Sequence, residues 1–375
     1  MGLFKNTFLN LIRIIYMNKI IDYTFCPVSF GPIKDSELQK LLSSKYADSR
    51  VVILVDQNSH DNCLDYLIDS CPILKKADVV LMPVGEENKV IEVFYQVQEV
   101  LSDFHLNRKG LIINLGGGVV MDMGGFISSV YKRGIDFIHI PTTLLGIVDA
   151  SIGGKTGINI GPYKNQIGTF SHPVFIHMDS FFVKSLPENE IMNGYAEMLK
   201  HALVMDAGYW NSIKNISSDE ELIKADTLIR SIHIKTSVID KDPKEGGLRK
   251  ILNFGHTFGH AIEGFYMDKK KLSHGHCVAL GICAESYLSM RRNYLSKEEY
   301  LEIETVIKRA FTFLTFDESA IKNIFELMKQ DKKNETLEVS CCLLEKIGVC
   351  IYDQKISEGE IMDALYHINL IAGTN

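Results

Sequence analysis

Two histidines stand four residues apart in Asn253-Phe254-Gly255-His256-Thr257-Phe258-Gly259-His260, and a second pair follows in His274-Gly275-His276. Upstream, Glu197 lies in Asn193-Gly-Tyr-Ala-Glu-Met-Leu-Lys200, which reads as a helix start. If the first run is helical, His256 and His260 project from one face, one turn apart. One carboxylate and two imidazoles with open coordination positions make the ligand set of a catalytic zinc. Spacing does not decide which histidines bind, since a core or capping histidine fits any one position. The chain also carries Gly116-Gly117-Gly118 between a strand-like and a helix-like run. Such a turn lets a ligand approach the backbone, and the helix beyond it offers free N–H groups and a positive dipole end to a pyrophosphate. A dinucleotide-type turn and a metal-type cluster on one chain point to redox chemistry on a polyhydroxy substrate.

Other residues extend this picture. The glycine turn departs from G-x-G-x-x-G spacing, although Gly124 and Gly125 follow it. Asp56, at the end of a strand-like run, has the place of a ribose-hydroxyl acceptor, and a helix cap explains it equally. Gly85-Glu86-Glu87-Asn88-Lys89 forms another strand-end turn. The stretch from Pro141 to Asn159 reads as a loop rich in glycine and hydroxyls, with Asp149 and Lys155 as its charges. A lysine on glycine-rich backbone suits phosphate. The segment ends like a P-loop, but Asp149 stands where the first glycine of that motif belongs, so an ATPase is rejected.

The elements that must position these residues follow from hydrophobic pattern. Runs at 50–55, 77–82, 111–115 and 136–140 read as buried strands, with helices over 89–104 and from the glycine turn to about Arg133. Alternating strands and helices imply a parallel sheet covered on both faces. From about Phe182 the helical pattern dominates, over 188–204, 220–239, 254–266, 277–292 and 297–314, with a short hairpin at 337–349. The expected fold is an α/β N-terminal domain with a Rossmann-like parallel sheet over 17–183, followed by a mainly α-helical C-terminal domain over 184–375. Residues 1–16 are apolar but interrupted by Lys5, Asn6, Asn10 and Arg13; they are too short for a membrane span and are set outside the fold. At 375 residues two domains are expected. A net charge of −7 argues against a nucleic-acid partner. Eight scattered cysteines without a Cys-x-x-Cys pair indicate buried thiols in a reducing cytoplasm.

Together GGGVVMDMGGF (116–126), PTTLLGIVDASIGGKTGIN (141–159), GYAEMLKH (194–201) and LNFGHTFGHAIE (252–263) resemble the 3-dehydroquinate synthase family of sugar phosphate cyclases, in one order from about Val51 to Gly348. The resemblance implies an NAD-binding domain, a helical metal domain and an active site in the cleft between them. It implies Glu197, His256 and His274 as ligands of one divalent metal, zinc with cobalt as the alternative, and His260 as a proton-transfer group. Glu245 matches a second acid–base position, and Lys155, Lys200, Arg249 and Asn253 also match catalytic positions. Substrate positions are Arg133, Asp149, Lys155, Asn165, Asn193, Lys200, Lys235, Arg249, Asn253 and His274, with Lys332 or Lys333 contacting phosphate. NAD positions are Asp56, Glu86, Lys89, Gly116, Gly117, Gly118, Asp122, Thr142, Thr143 and Lys164. Arg133 matches a residue that reaches the neighbouring subunit's site, so a homodimer is implied.

The implied reaction converts 3-deoxy-D-arabino-heptulosonate 7-phosphate to 3-dehydroquinate and phosphate. It runs through NAD-dependent transient oxidation, phosphate elimination, re-reduction and aldol closure. Arg249 is the natural partner for the substrate carboxylate, because guanidinium binds it bidentately. The alternatives are a cyclase for sedoheptulose 7-phosphate or an amino sugar, a metal-dependent polyol dehydrogenase, and an inactive NAD- or metal-binding regulator. Two positions depart from the family pattern. Tyr163 precedes Lys164 where glycine is usual, and His276 replaces glutamate, which would put an extra ligand or an altered pKa beside the metal.

Overall fold

The structure, a computed structural model, describes residues 19–161, 163–266, 272–330 and 339–373. The extension at 1–16 and the expected phosphate lysines Lys332 and Lys333 lie outside them. The chain divides into two compact units, the first running to Leu186 with Ile223–Ile229 added, the second comprising Pro187–Leu222 and Arg230 onward.

The first unit is built on a seven-stranded sheet of order β1-β2-β9-β6-β5-β3-β4. Its strands are β1 (Lys19–Ile21), β2 (Val28–Phe30), β3 (Val51–Asp56), β4 (Asp78–Met82), β5 (Leu111–Gly116), β6 (Asp136–Pro141) and β9 (Phe175–Met178). Every pairing is parallel except that of β1 with β2 at the edge. The central strands read as unbroken apolar runs because both faces are covered. Ile53, Val55, Ile113, Leu115, Ile138 and Ile140 pack on one face with Leu38 and Leu42 of helix α1 (Glu37–Ser44). Val52, Leu54, Ile112 and Phe137 pack on the other face with α2 (Ile91–Asp103) and α3 (Gly118–Val130).

The stretch expected as a loop is largely ordered. A helical turn at Gly146–Ala150 is followed by β7 (Lys155–Ile160), which pairs antiparallel with β8 (Tyr163–Phe170). Gly157 and Gly168 face each other in that register, and a Cβ on Gly168 would run into the Thr156 carbonyl oxygen. The glycines therefore serve close strand approach as well as loop freedom.

The second unit is mainly helical. Its long helices are α4 (Glu188–Met205), α5 (Ala225–Lys241, which belongs to this unit from Arg230 onward), α6 (His256–Tyr266), α7 (His274–Arg291), α8 (Lys297–Ala310), α9 (Glu318–Gln330) and α10 (Glu358–Ala372). The hairpin expected at 337–349 is longer, pairing β10 (Val339–Lys346) with β11 (Val349–Ile356). The segment 193–200, read as a helix start, lies inside α4, since the helix begins five residues before Asn193 behind Pro187. Helices α6 and α7 pack almost backbone to backbone. A Cβ on Gly281 would collide with the Gly255 carbonyl oxygen, and one on Gly259 would lie 3.0 Å from the Cys277 carbonyl oxygen. A Cβ on Gly275 would meet the Asn193 Cα at 2.5 Å, so α4 is pressed equally close against the start of α7. These contacts bring the histidine-bearing helix starts next to Glu197. All eight cysteines are free and seven are buried, as expected of structural thiols. Among the described residues no helix is long and apolar enough to cross a membrane.

Candidate active site

Glu197 is fully buried on α4, while His256 and His274 open α6 and α7. Glu197 Oε1 lies 3.5 Å from His256 Nε2 and 3.6 Å from His274 Nε2. One ligand atom from each of the three residues falls within 4.8 Å of the others. A tetrahedral ion with ligands at about 2.1 Å sets neighbouring ligand atoms about 3.4 Å apart, so the observed spacing fits a single divalent cation. The remaining nitrogens are fixed from behind. His256 Nδ1 faces the Phe254 carbonyl oxygen at 3.2 Å, and His274 Nδ1 faces Glu263 Oε2 at 3.4 Å. Partners of this kind select the tautomer whose Nε2 lone pair points to a metal.

The electrostatics agree with that reading. Burial, reinforced by the Lys200 ammonium, holds His256 well below the ordinary imidazole value, so its Nε2 stays an electron-pair donor. Burial also lowers His274, but Glu197 and Glu263 outweigh it and raise the group to about 10. The field of two carboxylates at this imidazole thus favours positive charge, which a divalent cation also supplies. Lys200, itself buried, forms an ion pair with Glu197 one turn along α4.

His260 is exposed on α6, its ring centre 5.0 Å from His256 and 5.9 Å from His274. With Glu263 and His274 it makes a second grouping of donor atoms. The first grouping is the better cation site because it contains the buried carboxylate and both inward-facing Nε2 atoms. Glu263 was not singled out from the sequence, although it lies seven residues after His256 on the same helix face. Glu263→Gln keeps the size of the side chain and removes its charge. Zinc affinity, measured by competition with a chromophoric chelator, should fall roughly 10–100-fold; an unchanged affinity would show that Glu263 does not support His274.

The other second-unit residues are largely engaged with one another. Asn193 Oδ1 accepts the Gly275 N–H at 2.9 Å and so fastens α4 to the first turn of α7. Arg249 is buried and donates from Nη1 to the Pro243 carbonyl at 2.6 Å. Asn253 Nδ2 donates to Glu245 Oε1 at 2.8 Å, and Glu245 has a φ of +62°. Lys235 is buried on α5. Two further carboxylates, not picked out from the sequence, shape this region. Asp242 accepts the N–H groups of Arg249, Gly247 and Gly246, and these bonds lower its pKa. Glu285 Oε2 accepts the Gly255 N–H at 2.8 Å, directly before His256. An acid within the apolar run Val278–Ser286 was the available signal. His276 is not turned to the cluster: its Nε2 faces the Thr312 carbonyl oxygen and its ring packs edge-on to Phe311. The extra ligand expected from this substitution is not among the donor groupings of the described residues.

In the first unit, Gly117 caps α3 with a φ of −82°. The triple glycine therefore serves close approach and not positive φ. A Cβ on Gly118 would meet only Ala150, at 3.5 Å, so packing does not require glycine there and the helix start offers its amides to a ligand. Thr142 donates its N–H to the Gly116 carbonyl at 2.8 Å, and Thr143 Oγ1 accepts from Gly146 at 3.0 Å. Lys89 is buried, 2.6 Å from Asp122 and 3.6 Å from Glu86. Burial opposes its charge, but those two carboxylates hold the ammonium above its ordinary value. Asp56 caps the short helix Gln57–Ser59 through its side chain. Lys155 and Asn165 are exposed, Lys164 and Asp149 partly so, and Asn165 has a φ of +53°. Arg133 is exposed on the turn after α3, with a φ of +68°.

With this geometry in place, comparison with known proteins is decisive. Residues 79–193 match the 3-dehydroquinate synthase N-terminal family and residues 194–334 match its C-terminal counterpart. The chain belongs to the 3-dehydroquinate synthase family. A 3-dehydroquinate synthase from Parabacteroides distasonis is 38% identical over 333 residues, covering 88% of this chain and 94% of that protein. Among solved structures, the ValA 2-epi-5-epi-valiolone synthase of Streptomyces hygroscopicus, with NAD+ and Zn2+ bound, superposes with a TM-score of 0.80 at 24% identity, covering 94% of this chain and 99% of that one. A 2-deoxy-scyllo-inosose synthase complexed with carbaglucose-6-phosphate, NAD+ and Co2+ also gives 0.80, at 22% identity, covering 94% and 100%. These neighbours share the expected fold, a parallel-sheet α/β domain followed by a helical region.

Proposed function

We propose that this family member is a working 3-dehydroquinate synthase, converting 3-deoxy-D-arabino-heptulosonate 7-phosphate to 3-dehydroquinate and phosphate in aromatic amino acid biosynthesis. The observation that carries the reading is the convergence of Glu197, His256 and His274 at ligand spacing. These three residues hold a zinc ion, with cobalt as the substitute. The Gly116–Gly118 turn, Thr142, Thr143, Asp122, Glu86, Lys89, Lys164 and Asp56 hold NAD. When bound, the metal supplies Lewis acidity toward adjacent hydroxyls and NAD+ accepts and returns a hydride.

The chain's own residues do the rest. The exposed Lys155 ammonium and Asn165, with Lys332 or Lys333, bind the phosphate and steady it as a leaving group. Arg249 binds the carboxylate: its guanidinium is pinned on the Pro243 carbonyl, so little freedom is lost on pairing. Asn253 and Glu245 act as a pair, with Glu245 as an acid–base group. His260, exposed beside the cluster, moves protons to and from substrate hydroxyls. Asp149, Asn193, Lys200 and Lys235 complete the substrate set.

The protein acts in the cytoplasm as a homodimer, with Arg133 reaching the partner's site. Two features support the dimer: the exposed Arg133 turn, and the exposed apolar residues Ile160, Tyr163, Ile167 and Phe170 on the β7–β8 hairpin. Phosphate release from the heptulosonate phosphate with catalytic NAD+, with and without chelator, tests the reading. Expected are release that chelator stops, a carbocyclic product and no accumulation of NADH. Accumulating NADH would identify a polyol dehydrogenase instead. Turnover of sedoheptulose 7-phosphate alone would identify a different cyclase.

A further inference from the structure

Asn159, near the end of β7, joins two regions of the first unit that the proposed function assigns to different ligands. Its Nδ2 donates to Glu86 Oε1 at 2.9 Å and to the Glu86 carbonyl at 3.3 Å. Its backbone N–H donates to the Lys89 carbonyl at 2.7 Å. Its Oδ1 accepts the backbone N–H of Asn165 at 2.9 Å. One side chain therefore fastens the Glu86–Lys89 turn, given to NAD, to Asn165, given to the substrate phosphate.

Both ends of this link are conformationally specific. Asn165 holds a φ of +53° on an exposed strand, where burial does little to fix it. The turn beside it begins at Gly85 with a φ of +108° and is anchored by the buried Lys89 and its two carboxylates. Only a side chain with a donor and an acceptor on one short branch can serve both sides. Aspartate would face Glu86 with like charge, and alanine would contact neither.

We propose that Asn159 is a positioning residue that couples NAD binding to phosphate binding. Ordering of the Glu86–Lys89 turn around the dinucleotide fixes the Asn165 backbone, and with it the Asn165 side chain that meets the anion; an anion held by that side chain favours the same ordered turn. By linkage the effect is reciprocal. Such coupling keeps the cofactor in place while the phosphorylated substrate is bound, as a reaction that returns its hydride requires.

The inference rests on the proposed function, so the experiment separates the two. NAD+ is titrated calorimetrically into the zinc-loaded full chain with and without saturating inorganic phosphate, and KM and kcat for the heptulosonate phosphate are measured alongside. In wild type, phosphate should tighten NAD+ binding by roughly fivefold or more. In Asn159→Ala, NAD+ should still bind but the phosphate effect should vanish, with KM rising more than kcat falls. Asn165→Ala should lose the phosphate effect while keeping the phosphate-free NAD+ affinity of wild type. If Asn159→Ala does not fold, Asn159→Asp serves, since it keeps the acceptor toward Asn165 and should lose the coupling too. A wild type that turns over but shows no phosphate effect, or an Asn159 variant that retains it, overturns the coupling alone. A wild type that binds neither NAD+ nor phosphate overturns the functional reading and the coupling with it.

Discussion

His256→Ala should reduce phosphate release by roughly a thousandfold or more, because it removes several kcal/mol of Lewis-acid stabilisation. His256 Nε2 stands 3.5 Å from Glu197 Oε1 and is one of the two nitrogens that face the buried carboxylate. Alanine leaves Glu197 and His274 as a two-residue set, too few to hold a catalytic zinc firmly. The fold should persist, because Glu285 still accepts the Gly255 N–H and fixes the backbone before α6. The checks are metal content after dialysis, the rate of phosphate release and the circular-dichroism melting curve. A variant that releases phosphate within tenfold of wild type would remove His256 from the site.

Gly281→Ala should destabilise the second unit by more than the roughly 1–3 kcal/mol of ordinary core overpacking. The added Cβ meets the Gly255 carbonyl oxygen and lies 2.8 Å from the Gly259 N. Both are backbone atoms, so no side chain can rotate away. Relief requires α6 and α7 to separate, which also moves His256 away from His274. Lower chemical-denaturation midpoints and lower zinc affinity should therefore appear together. Full stability with native metal binding would mean that this helix contact does not set the cluster.

These two predictions mark what the sequence carries by itself and what packing adds. Strands β3, β5 and β6 were legible because a strand covered on both faces is an apolar run, as in Leu111-Ile-Ile-Asn-Leu115, and the edge strand β4 because its Val79-Val-Leu-Met82 run is apolar even with Leu81 exposed. Strands β1, β2 and β9 span only three or four residues and have no readable period; their neighbours in the sheet define them. The β7–β8 hairpin was hidden because lysine, asparagine, glutamine, glycine and threonine interrupt any apolar period in it, and the Thr156–Thr169 bond that ties it appears only once the strands are paired. At the candidate site the residue types were legible, but the choice among the histidines was not. That choice depends on glycine contacts between α4, α6 and α7, and on Phe254 and Glu263 behind the rings. His276 shows the same limit: two residues along α7 from His274, just over half a helical turn, are enough to send it to the Thr312 carbonyl. Asn159 belonged to a quoted motif, yet its link between Glu86 and Asn165 needs the folded hairpin.

The most direct measurement is an anomalous-difference map, collected at the zinc edge, from crystals of the zinc-loaded protein. The predicted result is one strong peak bonded to Glu197, His256 Nε2 and His274 Nε2 at about 2.0–2.2 Å. A peak held instead by His260, Glu263 and His274, or no peak at either grouping, would contradict it.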